Sequence, residues 1–228
     1  MSGDVSIRSS ISLSHLASLP TAVLDSLTAT SRLRGVPAGT VVHGAGPVES
    51  HFTLVVPGLV RVYVTARDGR SLTVRYCRAG SLLGALTIFG ATQLPASIQS
   101  LVDTHLLEFD PVIVRDLCER EARVSRVLID ELSERVHAFL AEIPGSAFAS
   151  VRERVARHLL DLASDDQSTD GLMVAVGQQG LADAVGTSRE VVVRALRELR
   201  EAGLIETRRG LIRLLDPERL VDEWNKGS

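Results

Sequence analysis

The sequence has almost no lysine, very little cysteine and no long apolar run. Lys226 is the only lysine, so nearly all positive charge comes from arginine, a bias that we attribute to a GC-rich genome. Cys77 and Cys118 are too few for an iron–sulfur cluster held by four cysteines of one chain. No apolar stretch approaches the roughly 18 residues of a transmembrane helix, and no signal-peptide pattern opens the chain. We therefore expect a cytoplasmic protein without membrane contact.

The remaining polar residues argue against an enzyme and favour a local nucleic-acid surface. The histidines are scattered without metal-ligand spacing, and no nucleophile–base pair, P-loop or paired carboxylate motif occurs, so we predict no metal site and no catalytic residues. The net charge of −3 argues against a protein that coats nucleic acid. Between residues 189 and 213, however, arginines outnumber acidic residues, and this stretch is a candidate DNA-binding surface.

The first half of the chain predicts a short helical segment followed by a β domain. Residues 13–31 carry apolar side chains at helical spacing, with an interruption at Pro20. Residues 33–110 alternate short β-prone runs with Gly, Pro and Asp, and Asp68-Gly69 indicates a hairpin. This pattern is typical of a β-sandwich or small barrel. The predicted strands are 41–42, 52–56, 59–64, 71–76, 98–102 and 105–109.

From Pro111 the apolar period becomes helical, and Pro144-Gly145 is predicted to end a long helix. One narrow apolar stripe runs along it, while charged residues such as Glu131 and Arg135 mostly occupy the remaining face. Such a stripe is typical of a coiled-coil dimer seam, although it could instead pack on the β domain of its own chain. The predicted seam consists of Val124, Leu128, Leu132, Val136, Phe139 and Ile143.

The last third of the chain contains a helix-turn-helix pattern. Ser150 and Glu153 form a predicted capping box for a helix over 151–163, and a polar loop and a short strand follow. A short helix over 181–185, a turn at Gly186 and a second helix from Ser188 make up the motif. Residues 203–215 then predict the two strands of a wing, and a final helix over 217–224 ends the pattern.

This order of elements resembles the CRP/FNR family of bacterial transcription regulators. Its most specific part is Leu181-Ala-Asp-Ala-Val-Gly-Thr-Ser-Arg-Glu-Val-Val-Val-Arg-Ala-Leu-Arg-Glu-Leu199, and Gly80-Ser-Leu-Leu-Gly84 and Phe89 match further landmarks. The resemblance implies an α+β fold with an N-terminal double-stranded β-helix (jelly-roll) sensor domain, a long dimerisation helix and a C-terminal winged helix-turn-helix domain. We predict domains over 1–116, 117–145 and 146–228.

The resemblance also implies a homodimer that binds double-stranded DNA, with recognition helices in successive major grooves about 34 Å apart. Arg189 and Arg194 are predicted to bind guanine through bidentate contacts, and Glu190 to accept from a cytosine amino group, as in readers of TGTGA-like half-sites. Ser188 is also the expected N-cap of its helix. The predicted DNA-backbone contacts are Gln178, Gln179, Thr187, Ser188, Arg208 and Arg209.

The sensor domain departs from the pattern of the cyclic AMP-binding members. Ala85 stands where they carry the ribose-binding glutamate, and Pro95 and Ala96 stand where they carry the phosphate-binding Arg-Ser. Phe139 and Leu140 replace polar residues that contact adenine, so we expect no tight cyclic AMP binding and no cofactor. The pocket candidates are Gly84, Ala85, Leu86, Pro95, Ala96, Phe139 and Leu140.

Several alternatives stay open from the sequence. The pocket could take a different, more apolar effector, could be filled by its own side chains, or could sense haem through a histidine or redox state through Cys77 or Cys118. The chain could also be a small-molecule-binding module that acts through protein contacts. RNA polymerase is a candidate partner, because the loop Ser164–Gly171 lies where activators of the family place such a surface.

Overall fold

The computed structural model describes residues 2–47, 50–65, 71–90, 93–94, 96–165, 172–208 and 211–225. The chain divides into two compact units, Met1–His137 and Ala138–Ser228, and one helix contains the division. Within the described ranges, no helix combines the length and apolar character that a membrane crossing requires.

The first unit begins with helices and continues as a β-roll. Before the strands lie α1 (Ser2–Ser12), a 3-10 helix (His15–Ser18) and α2 (Thr21–Ala29). The short helix α3 (Ala85–Ile88) lies between two of the strands, and α4 (Pro111–Arg120) follows the last strand of this unit. The strands are β1 (Arg32–Val36), β2 (Val41–His43), β3 (Gly46–Pro47), β4 (Phe52–Val55), β5 (Leu59–Thr65), β6 (Ser71–Arg78), β7 (Leu82–Leu83), β8 (Gln93–Leu94), β9 (Ser97–Ser100) and β10 (Thr104–Phe109).

The strands form two four-stranded antiparallel sheets, in the orders β1-β10-β4-β7 and β2-β9-β5-β6, and a β3-β8 pair. One apolar cluster, which includes Val55, Val60 and Leu106, takes side chains from both sheets. A second cluster packs α2, α4 and the N-terminal segment against Phe52 and Phe109. The fold is therefore the predicted double-stranded β domain, held by the apolar side chains of these two clusters.

The predicted strands are confirmed with small shifts in their ends, and the lead-in helix is interrupted at Pro20 as expected. The Asp68-Gly69 turn lies outside the described residues, but β5 and β6 on either side of it pair antiparallel. The sequence did not predict β1, whose central residues Leu33, Arg34 and Gly35 lack the alternation that marks a strand. Pairing with β10 forms β1, and tertiary contact therefore outweighs local pattern there.

The long helix α5 runs from Ala122 to Phe148. The prediction that Pro144-Gly145 ends it is wrong, because the helical backbone continues for three residues beyond Gly145. A proline removes one backbone donor and can be accommodated within a helix when the following turns keep their own hydrogen bonds. Glu121 separates α5 from α4, so the helical region that begins at Pro111 is two helices.

The structure also corrects the predicted seam on α5. Val124 and Leu128 are buried in the core of their own unit, and Leu132 packs against the same core. These three side chains therefore pack within their own chain, which is the alternative to a dimer seam that the sequence left open. Val136 and Phe139 are exposed, as predicted for a seam, and the Ile143 side chain lies outside the described part of the structure. Ile129, which the predicted seam did not include, is also exposed.

A cleft with a volume of about 390 Å³ lies beside two stacked histidines of the β-roll. The rings of His43 and His51 are 4.1 Å apart, with an interplanar angle of 18°. Burial, His51 and the positive charge of Arg34 lower the pKa of His43 from 6.5 to about 4, against the opposing effect of Glu108. Folded His43 is therefore neutral at pH values at which an unfolded chain would protonate it.

We expect acid to destabilise the β-roll partly through His43. As pH falls from 6.5 towards 4, the unfolded state binds a proton that the folded state does not, so stability decreases over this window. Because His43 is only half-buried, we expect an effect of about 1 kcal/mol. His43→Gln should make the melting temperature depend less on pH. His137→Gln, at an exposed site, should retain the pH dependence of the wild type. Equal slopes for all three proteins would contradict this assignment.

The second unit contains four helices and a three-stranded sheet among its described residues, in addition to the end of α5. Ser150 and Glu153 form the predicted capping box: the Ser150 amide donates to the Glu153 carboxylate (2.8 Å), and the Glu153 amide donates to Ser150 Oγ (3.3 Å). The elements are α6 (Val151–Asp165), β11 (Met173–Ala175), α7 (Gln178–Val185), α8 (Arg189–Glu201), β12 (Ile205–Arg208), β13 (Leu211–Leu214) and α9 (Pro217–Asn225).

Candidate nucleic-acid interface

The helix-turn-helix is formed by α7, the turn around Gly186, and α8. The helix α7 begins at Gln178, three residues earlier than predicted. Gly186 adopts the left-handed conformation (φ 67°, ψ 51°), which glycine enters without a steric cost, and its amide donates to the carbonyls at the end of α7. The Thr187 amide donates to the Ala182 carbonyl at 3.0 Å, so the chain turns sharply before α8 begins.

The inner face of α8 packs on α6, α7 and the wing. Four apolar residues of α8 are buried, while its opposite side carries arginines and glutamates. The strands β12 and β13 form the predicted wing and pair in the order β11-β13-β12. Burial on one side therefore fixes which side of α8 faces outward. The buried side chains are Val192, Ala195, Leu196 and Leu199.

Two arginines of α6, which the sequence reasoning did not single out, hold the motif in place. Arg152 forms ion pairs with Glu223 of α9 (2.8 Å) and with Glu198 of α8 (3.7 Å). Arg154 donates to the Val185 carbonyl at the end of α7 (3.0 Å) and to the Ala149 carbonyl, just after α5. Nothing in the helical spacing of α6 distinguishes these arginines from solvent-facing ones, because their partners are remote in sequence.

Arg189, Glu190 and Arg194 all lie on the exposed side of α8, where the base-reading prediction requires them. Arg189 Nε donates to Gln178 Oε1 at 3.3 Å, which joins the beginnings of α7 and α8. Among the described residues, Arg194 forms no ion pair, so its guanidinium is available to a ligand. Two cations and one carboxylate can thus approach a DNA groove from a single helix.

Glu190 is ionised and held by its surroundings. Its own backbone amide and the Ser188 hydroxyl bond to its carboxylate and lower its pKa, with a further contribution from Arg189. Ser188 occupies the N-cap position, but its side chain makes no capping hydrogen bond, which corrects the expected capping role. The Ser188 hydroxyl instead orients the Glu190 side chain.

The predicted backbone contacts lie around this surface. Gln178, Gln179 and Ser188 are exposed, Thr187 is half-buried in the turn, and Gln179 donates to Asp183 at 2.8 Å. On the wing, Arg208 pairs with Glu206 at 2.8 Å, while Arg209 lies outside the described residues. Further along α8, Arg197 pairs with Glu201 (3.7 Å) and Arg200 donates to Thr207 (3.4 Å).

Comparison with known proteins identifies both units. Residues 33–121 match the profile of the cyclic nucleotide-binding domain, and residues 153–223 match that of the Crp-like helix-turn-helix domain. The transcriptional regulator LdrP of Thermus thermophilus is 32% identical over 171 residues, which cover 73% of this chain and 83% of LdrP. The chain belongs to the CRP/FNR family of transcription regulators.

Other members of the CRP/FNR family align over most of the chain. The cAMP-activated global transcriptional regulator Vfr of Pseudomonas aeruginosa is 28% identical over 193 residues, which cover 81% of this chain and 90% of Vfr. The crystal structure of the catabolite activator protein of Thermus thermophilus is 25% identical with a TM-score of 0.52, and the match covers 94% of this chain and 99% of that one. These family members are DNA-binding transcription regulators and not enzymes.

The turn that precedes α3 carries the predicted pocket residues Gly84, Ala85 and Leu86. Gly84 has a φ of 86° and packs so closely on His51 that an added Cβ would lie 2.1 Å from the His51 carbonyl oxygen. Ala85 is buried, whereas the Leu86 side chain is 57% exposed. The methyl group of Ala85 cannot accept a hydrogen bond from a ribose hydroxyl.

The other pocket candidates lie elsewhere in the chain. Ala96 precedes β9 and is half-buried, and Pro95 lies outside the described residues. Phe139 and Leu140 belong to the second unit, and each side chain is 58% exposed. Phe89, at the end of α3, is 61% exposed. Of the candidates in the described part of the first unit, Gly84, Ala85 and Leu86 are consecutive at the turn before α3, and Ala96 lies just before β9.

Cys77 is buried and Cys118 is half-buried, and both are free thiols. Cys77 is fully buried in the apolar cluster between the sheets. Burial raises the pKa of Cys118, and the hydrogen bond with Ser125 opposes this effect only in part. The raised pKa favours the unreactive thiol form of Cys118. The described residues contain no cluster of three or more His, Cys, Asp or Glu side chains that could hold a metal ion.

Proposed function

We propose that this CRP/FNR regulator is a cytoplasmic homodimer that binds a palindromic, TGTGA-like DNA site without control by cyclic AMP. The observation that carries the proposal is the exposed Arg189-Glu190-Arg194 face on a helix whose other side is fully packed. Arginine recognises guanine O6 and N7 with both arms of its fork, and an ionised glutamate accepts from the cytosine amino group. A carboxylate is repelled by phosphates, so its presence favours base reading over general phosphate binding.

Exposed apolar side chains on α5 support dimerisation. Ile129, Val136, Phe139 and Leu140 are each more than half exposed and follow one another at spacings compatible with a helical stripe. A row of large apolar side chains on a solvent-facing helix is costly unless a partner covers it. A second copy of the same helix is the partner that the family membership favours, and it would give the two-fold symmetry that a palindrome requires.

The lack of cyclic AMP control is supported by chemistry at the turn before α3. The positions that would hold the ribose and phosphate are Ala85, Pro95 and Ala96, none of which carries a polar side chain. A phosphate transferred from water to such surroundings would lose its solvation without gaining an ion pair. The name of Vfr describes cyclic AMP activation of that protein. We expect this chain to differ.

DNA binding by fluorescence anisotropy tests the proposal. We expect a duplex with two inverted TGTGA half-sites, one helical turn apart, to bind at least about 100-fold more tightly than a scrambled duplex of equal composition. A duplex with five extra base pairs between the half-sites is the control, because it places them on opposite faces of the DNA. Equal affinity for all three duplexes would exclude sequence-specific reading. Tighter binding to the palindromic duplex on addition of cyclic AMP would contradict the proposed absence of cyclic AMP control.

RNA polymerase is a further partner that we propose from family membership. The loop Ser164–Gly171 is a candidate contact for RNA polymerase, but residues 166–171 lie outside the described part of the chain. The alternative of a module that acts through protein contacts is less well supported, since the exposed face of α8 carries the cations of a DNA reader.

A further inference from the structure

A buried carboxylate of α5 contacts two other segments of the first unit, β6 and the 3-10 helix. Glu131 of α5 is only 5% exposed, although the sequence pattern placed it on the charged outer face. Its Oε1 accepts from Arg135 Nε at 2.7 Å and lies 3.5 Å from Arg75 Nη1 on β6. Its Oε2 lies 3.8 Å from His15 Nε2 in the 3-10 helix, and the same nitrogen is 2.6 Å from Glu134. We call these five residues the Glu131 network.

The Glu131 network also reaches the turn before α3. Arg135 donates from Nη2 to the carbonyl of Leu82, which precedes Gly84 by two residues. Through these contacts α5 is attached to β6, to β7 and to the N-terminal segment by polar bonds, in addition to the apolar packing of Val124 and Leu128. All of these attachments come from side chains of the protein itself.

The charges of the network make its members depend on one another. Two guanidinium groups share one buried carboxylate, and burial together with the charge of Arg75 lowers the pKa of Arg135. The neighbouring Cys77 and then Glu131 raise the pKa of Arg75, against the effect of burial. Removing one member of a buried charge group leaves the others uncompensated, which is far more disruptive than losing an exposed ion pair.

We propose that the Glu131 network replaces the small-molecule effector: it fastens α5 to the β-roll, so that the ligand-free protein is already competent to dimerise and bind DNA. The resemblance to the cyclic AMP-binding members implies that their effector contacts both the β-roll and the long helix, at positions that match Ala85 and Phe139 here. Here the contacts with β6 and Leu82 are already present. The inference rests on the proposed function for its DNA readout, but the attachment of α5 can be measured separately.

Hydrogen exchange and DNA binding of the full-length chain test this inference. In the ligand-free wild type, we expect the α5 amides over 122–136 to be protected at least about 100-fold. Glu131→Gln removes the shared charge and should lower both this protection and the affinity for the palindromic duplex by about tenfold or more. Asp130→Asn is the matched control, since Asp130 pairs with Arg126 on the exposed side of the same helix, and it should change neither value more than twofold.

A second variant covers the case in which Glu131→Gln fails to fold. Arg135→Met removes the bond to Leu82 and the ion pair with Glu131 but leaves Arg75 beside Glu131, and it should also lower α5 protection and DNA affinity by about tenfold. Wild-type protection in either variant would overturn the inference. So would a gain of tenfold or more in wild-type DNA affinity on adding cyclic AMP, cyclic GMP or cyclic di-GMP. If the wild type binds scrambled DNA equally well, the proposed function fails, whereas the exchange data still decide whether the network holds α5.

Discussion

Gly84→Ala should lower the stability of the β-roll by about 4 kcal/mol, the sum of a steric clash and a left-handed backbone. The added Cβ would lie 2.1 Å from the His51 carbonyl oxygen and 2.6 Å from His51 Cδ2. The carbonyl oxygen belongs to the backbone and cannot rotate away as a flexible side chain could. We expect a large decrease in the melting temperature of the β-roll, measured by circular dichroism or calorimetry.

Gly39→Ala is the matched control for this prediction. Gly39 has a similar φ of 77°, but a Cβ there would have no atom within 4 Å. Its replacement should therefore cost only about 1 kcal/mol, the backbone contribution alone. The difference between the stability losses of Gly84→Ala and Gly39→Ala gives the cost of the steric clash with His51. Similar losses in both would show that the turn can shift and that the close contact is unimportant.

Arg189→Ala and Arg194→Ala should each lower the affinity for the palindromic site by about 1–3 kcal/mol per half-site contact, the strength of a bidentate bond to guanine. Discrimination should decrease at one base pair of each half-site, and a different one for each arginine. Competition binding against a set of single-base variants of the duplex would measure this loss. A uniform loss across all sequences would assign these arginines to phosphate contacts instead.

Two further variants separate charge from geometry. Arg189→Lys keeps the positive charge but loses the planar fork, so it should lose discrimination nearly as much as alanine does. Arg197→Ala removes an exposed arginine of the same helix that is paired with Glu201, and it should weaken binding only modestly and equally for all sequences. If the lysine variant retains full discrimination, the bidentate assignment is wrong.

The elements that the sequence predicted well are those whose signals are local. Gly186 marks the turn of the helix-turn-helix because a left-handed residue ends α7, and the Ser150–Glu153 capping box marks the beginning of α6. Short β-prone runs bounded by Gly, Pro and Asp likewise located most strands. These signals depend on neighbours within a few residues, so they can be read from one sequence.

The features that the sequence did not predict depend on remote partners. Val124 and Leu128 have the spacing of a dimer seam, but the β-roll of the same chain covers them, and periodicity alone cannot tell which surface a stripe meets. Glu131 looks like one charge among several on α5, and only the approach of Arg75 and His15 makes it a buried centre. The roles of Arg152 and Arg154 could not be predicted either, because their partners are remote in sequence.

The hydrogen bonds around Glu190 affect the thermodynamics of recognition. Hydrogen bonds from its backbone amide and the Ser188 hydroxyl already lower the pKa of this carboxylate before any DNA is present. An exposed side chain that is ordered in advance loses less conformational entropy when it meets its ligand. Selectivity at the base pair that Glu190 contacts should therefore have a smaller opposing entropy than selectivity at the pair read by Arg194. Calorimetric titrations with duplexes altered at these two positions would resolve the two contributions as different balances of enthalpy and entropy.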